Sequence, residues 1–134
     1  IIYMALIQQE FKHDTWKMLI GCIMLNQTSN KQVRQVIYDF FDKYPNPESI
    51  TEDSIPDITE RLRPLGFYNR RAATILRFSN EYINKGNTGA HILELYGIGK
   101  YAWDSYEIFI NGNTSVEPKD KILKRYLAGE FIDQ

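Results

Sequence analysis

The chain has 134 residues (15.7 kDa), 43% hydrophobic and 13% aromatic, enough for one well-filled core and too few for two, so a single domain over 1–134 is expected. One cysteine, Cys22, excludes an internal disulfide framework, a four-cysteine zinc site and an iron-sulfur cluster held by four thiolates; a reducing compartment is expected, with no metal and no cofactor. A net charge of −1 excludes a general attraction to nucleic acid, and no apolar run is long enough to cross a bilayer, so no membrane is expected.

The predicted elements are helices. The opening Ile1 to Ile7 is apolar, too short for an anchor and without the basic flank of a signal peptide; it reads as the inside of a helix in a fragment of a longer protein. Asp14 or Thr15 can cap a helix whose apolar set, Trp16, Met18, Leu19, Ile20, Ile23, Met24 and Leu25, is too broad for a surface position and suits a central one. After the polar break Asn26 to Asn30, Val33, Val36, Ile37, Phe40 and Phe41 recur at three and four, marking an amphipathic helix that ends before Pro45. A turn-rich link from Pro45 to Thr51 leads to a short helix over Asp57 to Leu62, stopped by Arg63-Pro64. Gly66 is a helix stop and Asn69 a cap for a helix packed through Ala72, Ala73, Ile75, Leu76, Phe78, Ser79, Tyr82 and Ile83, until Lys85-Gly86 ends it. Gly86 to Gly89 reads as loop. A short helix from His91 to Tyr96 precedes Gly97-Ile98-Gly99, a further helix carries Tyr101 to Phe109, and a last one follows Pro118-Lys119-Asp120 through Leu127. Alternation at period two is almost absent, so the fold class is all-α.

Charge is unevenly spread. Glu48, Glu52, Asp53, Asp57 and Glu60 cluster together, while Arg61, Arg63, Arg70, Arg71 and Arg77 follow and Lys119, Lys121, Lys124 and Arg125 lie near the end. The run Gly97-Ile98-Gly99-Lys100 between two helices makes a tight hairpin, because glycine reaches the positive dihedrals such a turn requires. Its bare backbone leaves N–H groups at the start of the next helix, where they and the helix dipole can hold an anion; Ile98 tucks inward and Lys100 adds a point charge. The same glycines also read as an ordinary helix end followed by a turn.

With LYGIGKY followed after nineteen residues by Asp120, and with LNQTS at Leu25 to Ser29, PLGFYNRRAATI at Pro64 to Ile75 and EPKDKILKRY at Glu117 to Tyr126, the chain resembles the helix-hairpin-helix DNA glycosylase superfamily over nearly its whole length. Within it the runs HDTWKMLI, LGFYNRRA and GIGKYAWDSYEIF are similar to the glycosylase domain of methyl-CpG-binding thymine glycosylases; no stretch here corresponds to the methyl-CpG-binding module. The resemblance implies two helical halves flanking a DNA-binding cleft. It also implies a monomeric nuclear enzyme that flips thymine or uracil out of G·T or G·U mismatched double-stranded DNA and hydrolyses its N-glycosidic bond.

By that resemblance Asp120 is the catalytic carboxylate, stabilising oxocarbenium-like charge on the sugar and orienting water; an aspartate before ILKRYL also reads as a helix N-cap, and both roles can coexist. Strand-cleaving relatives carry a lysine two residues after the second hairpin glycine. Tyr101 stands there, and Lys100, one residue earlier and about 100° round the helix, points to the phosphate side, which implies a hydrolase without lyase activity. Tyr101 lines the base pocket or packs beside Trp103. Gln8 reads the pyrimidine edge, although Gln9 beside it blurs the register. Gln27 is the wedge that fills the hole left by the flipped base, where the most similar relatives carry arginine. Phe67 is a second, apolar wedge or simply core. Arg71, with Arg70 beside it, reads as a phosphate contact or as plain helix surface, and Gly97, Ile98, Gly99 and Lys100 grip the backbone. His13 and His91 are too isolated for a nucleophilic triad, and Asp104 is read as structural. The rival readings are a catalytically silent helix-hairpin-helix module that binds DNA or tethers a partner, and a helical bundle unrelated to DNA.

Overall fold

In the computed structural model, which describes residues 5–85 and 91–130, helix α2 (Thr15–Leu25) is central because its sequence gives it no polar face: nine of its eleven residues are buried. Asp14 caps it, its side chain accepting the Lys17 N–H at 3.0 Å. Before it lies α1 (Ile7–Glu10), a single turn that the sequence pattern did not announce. Asn30 Oδ1 accepts the Ile7 N–H at 2.8 Å, and a Cβ at Gly21 would come within 2.8 Å of Ile7 Cγ2, so the bare glycine lets α1 seat against α2. The readings of Ile1 to Met4 and of the loop Gly86 to Gly89 lie outside the described residues.

Helix α3 (Asn30–Lys43) starts on a capping box: Ser29 Oγ accepts the Gln32 N–H at 3.1 Å and Gln32 Oε1 accepts the Ser29 N–H at 3.0 Å. Its buried stripe Val33, Ile37, Phe40 and Phe41 faces the core. The link that follows is not bare loop but two 3₁₀ turns, Pro47–Ser49 and Glu52–Ser54, leading into α4 (Ile55–Leu62), which begins before Asp57 because Pro56 fits a helix's first turn.

A third 3₁₀ turn, Arg63–Leu65, ends at Gly66 with φ of 75°. Helix α5 (Tyr68–Lys85) follows, and the Phe67 carbonyl accepts its first bond, from the Arg71 N–H at 2.8 Å. Asn69, expected as the cap, therefore sits inside the first turn. The packed stripe is Arg71, Ala72, Ile75, Phe78 and Ser79. Ala73 and Ile83, expected on it, are exposed because the helix buries one narrow face and they lie off that face. Helix α6 (His91–Glu94) gives way to turns before Tyr96, and α7 (Lys100–Phe109) and α8 (Lys121–Leu127) complete an all-helical fold with no strand among the described residues.

A polar bond between α2 and α5 crosses the core. Trp16 Nε1–H donates to Ser79 Oγ at 3.0 Å, both groups being buried. Replacing Ser79 by Ala leaves that indole donor without an acceptor and lowers unfolding free energy by about 1–3 kcal/mol in a urea titration, with little change in far-ultraviolet dichroism.

Candidate functional site

The hairpin between α6 and α7 uses its two glycines differently. Gly97 has φ of 87°, and a Cβ there would lie 3.0 Å from Thr74 Cγ2, so both the dihedral and the approach to α5 call for glycine. Gly99, expected to share the positive dihedral, is extended instead, at φ of −100°, and caps α7 without a side-chain hydrogen bond. A Cβ there would meet nothing within 4 Å, which leaves the space beside the helix start open. Ile98 is buried, as expected of the hairpin's inward residue.

That open side is one wall of a cleft of about 550 Å³, bordered by the end of α2 and the starts of α5 and α7. Its charged lining is Arg70, Arg71 and Lys100, with no carboxylate. An adjoining chamber of about 350 Å³ shares Asn26, Gln27 and Tyr101 with it and has Asp120 as its one charged lining residue. A chain of net charge −1 thus sets three cations along one chamber and a lone anion in the next.

Gln27 and Phe67 stand on this cleft, and both have positive φ, at 61° and 45°, the two non-glycine cases among the described residues. Phe67 is 59% exposed, which removes the core alternative. Side chains held in the left-handed region cost energy that the surrounding structure must offset, and such outliers gather at working sites.

Gln8 and Tyr101 meet behind the wall. Gln8 is fully buried, and its Nε2–H donates to the Tyr101 hydroxyl at 2.7 Å and to Ser105 Oγ at 3.3 Å; its Oε1 is buried without a partner. Gln9 instead turns back to its own helix, Oε1 accepting the Leu6 N–H at 2.8 Å, which resolves the register between the two glutamines. Burial pushes the Tyr101 phenol well above its usual range, reinforced by the negative charge of Asp120, so the hydroxyl stays neutral and serves as a hydrogen-bonding group rather than a base. Trp103 stacks on Tyr106, with centroids 5.5 Å apart, and leaves Tyr101 to the cleft.

Asp120 caps α8, its Oδ2 accepting the Leu123 N–H at 2.9 Å, while its side chain borders the smaller chamber. Capping fixes the carboxylate in place. Lys100 Nζ is 2.8 Å from the buried Asp104 Oδ2, one turn along the same helix, which gives Asp104 its structural part. Arg71 departs from the expectation of a phosphate contact: it is 5% exposed and its Nε, Nη1 and Nη2 donate to the carbonyls of Gly66, Ile23 and Asn26 at 3.0, 2.9 and 2.6 Å. Its charge is committed to backbone. Arg70 is the exposed neighbour, with no ion-pair partner among the described residues. Asn26, Ser105 and Tyr96 were not singled out from sequence; Asn26 lies inside LNQTS and Ser105 falls four residues after Tyr101, the spacing that shares a helix face. Among the described residues no three His, Cys, Asp or Glu side chains gather as a metal site would need, and no helix is long and apolar enough to cross a membrane.

Residues 20–128 match the family described as HhH-GPD superfamily base excision DNA repair protein. The chain is 40% identical over 122 residues to the methyl-CpG-binding domain protein 4-like protein of Arabidopsis thaliana, an alignment covering 90% of this chain and 27% of that protein. To the thymine/uracil-DNA glycosylase of Pyrobaculum aerophilum it is 27% identical over 110 residues, 78% of this chain and 47% of the relative. Among solved structures it is similar to a thermostable thymine-DNA glycosylase, with a TM-score of 0.71 at 26% identity, covering 80% of this chain and 52% of that one. The chain spans about a quarter to a half of the length of these relatives.

Two outcomes test the site's construction. Replacing Gly97 by Ala lowers stability by about 1–3 kcal/mol in urea, whereas Gly99→Ala shifts it by less than about 0.5 kcal/mol, because only the first carries strain and crowding. Burial pushes the Cys22 thiol up to about 12. With almost no thiolate at about pH 8, the native protein resists iodoacetamide and the urea-unfolded chain is alkylated promptly, as mass spectrometry would read.

Proposed function

The chain belongs to the HhH-GPD superfamily of base excision DNA repair proteins, and from that membership we propose that it is a monofunctional DNA glycosylase removing thymine or uracil mispaired with guanine. The observation that carries this reading is the shared wall: Gln27 and Tyr101 border both chambers, so the hairpin and the Asp120 carboxylate open onto adjoining space.

The duplex backbone lies along the cationic chamber, where Arg70, Lys100 and the uncapped N–H groups at the start of α7 face phosphate, and the open flank of Gly99 admits close approach. Gln27 and Phe67 enter the stack and occupy the space of the extruded nucleotide. The everted pyrimidine meets Tyr101 and, behind it, the Gln8 amide. The unpartnered Oε1 of Gln8 accepts from the imide N–H that thymine and uracil carry and cytosine lacks. As the N-glycosidic bond breaks, its electron pair leaves with the base. The Asp120 carboxylate stabilises the positive charge growing on the sugar and orients a water toward C1′, and that water's oxygen bonds C1′ while its proton passes to the departing base. The products are free base and an abasic deoxyribose in an uncut strand. No Schiff base forms, because Tyr101 occupies the position a lysine would need and Lys100 is held by Asp104. The protein acts as a monomer, and the nucleus is the proposed place of action.

Asn caps a helix about as well as Asp, so Asp120→Asn separates capping from chemistry. Single-turnover release from G·T and G·U duplexes falls by about a hundredfold or more in this variant, while its melting temperature and duplex affinity stay close to wild type. Wild-type protein that binds these duplexes and releases no base from either would instead identify a catalytically silent DNA-binding module.

A further inference from the structure

The buried guanidinium of Arg71 holds the backbone one residue before each of the two side chains that stand on the cleft. Nη2 donates to the Asn26 carbonyl at 2.6 Å, ahead of Gln27, and Nε donates to the Gly66 carbonyl at 3.0 Å, ahead of Phe67. Nη1 adds the Ile23 carbonyl at 2.9 Å, at the end of α2. A peptide unit is planar, so anchoring the carbonyl of one residue fixes the N–H of the next and narrows the dihedral that follows it. The residues so constrained, Gln27 and Phe67, are the two non-glycine positions with positive φ among the described residues. Left-handed conformations of ordinary side chains persist only where their surroundings over-determine them.

We propose that Arg71 is a positioning residue that fixes the separation and pitch of Gln27 and Phe67, so that they enter a duplex as a preformed two-pronged wedge. This rests on the reading of the chain as a base-flipping glycosylase. A planar fork with donors in fixed directions can hold three carbonyls at once; a lysine ammonium on a flexible stem keeps the charge and loses that geometry. With the clamp gone, the two loops must be ordered while the base is turned out.

The test compares wild type with R71K in single-turnover release of uracil from two duplexes, one with uracil opposite guanine and one with uracil opposite an abasic site, where less pairing and stacking must be broken. R71K slows release from the first by about tenfold or more and from the second by less than about threefold, because prong placement matters most where turning out the base is hardest. In the R71K background Phe67→Ala then costs much less than it does in wild type, since a misplaced prong has less to lose. Equal slowing on both duplexes, or effects of the two substitutions that simply multiply, overturns the proposal. Where a melt shows R71K unfolded at the assay temperature, R71Q, which keeps a planar donor, takes its place. Wild-type protein that releases uracil from neither duplex refutes the glycosylase reading. The clamp is then judged from 2-aminopurine placed beside the mismatch: brightening on binding that R71K loses upholds it, and brightening shared by both proteins or by neither overturns it.

Discussion

A helix buried on nearly every side cannot stop without donors for its last carbonyls, and that requirement at the end of α2 shapes the rest of the molecule. Each of the final three is met. The Ile23 carbonyl takes Arg71 Nη1–H at 2.9 Å, Met24 takes the Thr28 hydroxyl at 2.6 Å, and Leu25 takes the Thr28 N–H at 3.1 Å. Drawing Thr28 back over the helix end forces the chain to reverse within Asn26 and Gln27, and the reversal is where Gln27 takes up its positive φ. The polar break that the sequence announces is therefore a structural solution first, and the exposed glutamine is its by-product.

Three helices then fix the cleft. At Gly97 the hairpin presses on Thr74 of α5 and lies near Ile23 of α2, so its position is set by packing from two sides. A polar tie reinforces this, since Glu81 Oε1 accepts the Tyr96 N–H at 3.0 Å and the Arg77 guanidinium lies 4.0 Å from the centre of the Tyr96 ring. Arg77 and Lys85 neutralise Glu81 in turn, at 3.1 and 3.4 Å. On the far side, α1 brings Gln8 under Tyr101, tied to the start of α3 by Asn30 and seated on α2 at the bare Gly21. Apart from the two ion pairs of Glu81, each one turn away on α5, these contacts join stretches distant in sequence, and together they decide which side chains share a chamber.

This explains what could be read from the sequence and what could not. Helices α2, α3 and α7 were legible because their apolar spacing is local, as is the Asp14 cap of α2, and the hairpin was legible because Gly-Ile-Gly is a local instruction. Asp120 could be read as a cap from its neighbours, but its place beside Tyr101 depends on how α8 meets α7. The start of α5 departs from the Asn69 expectation by two residues, because the carbonyl of Phe67, itself held at positive φ, already accepts the first helical bond. Arg71 was misjudged for a deeper reason: its acceptors on Ile23, Asn26 and Gly66 come from separate stretches, and nothing in RRAATI distinguishes an arginine facing solvent from one facing carbonyls. The choice between Gln8 and Gln9 likewise waited on tertiary contact, because a helix of one turn carries no periodicity.

The Gln8 amide bears on what the proposed site would accept. Behind the Tyr101 wall the Gln8 amide has its Nε2–H committed to the phenol at 2.7 Å and its Oε1 buried without a partner, so a visitor that brings a hydrogen-bond donor displaces nothing and satisfies an unpaired acceptor. A visitor without a donor leaves that acceptor buried and unpaired, a cost of the same kind for every such molecule. In the proposed site, sorting at this point would rest on what a molecule donates and not on its outline.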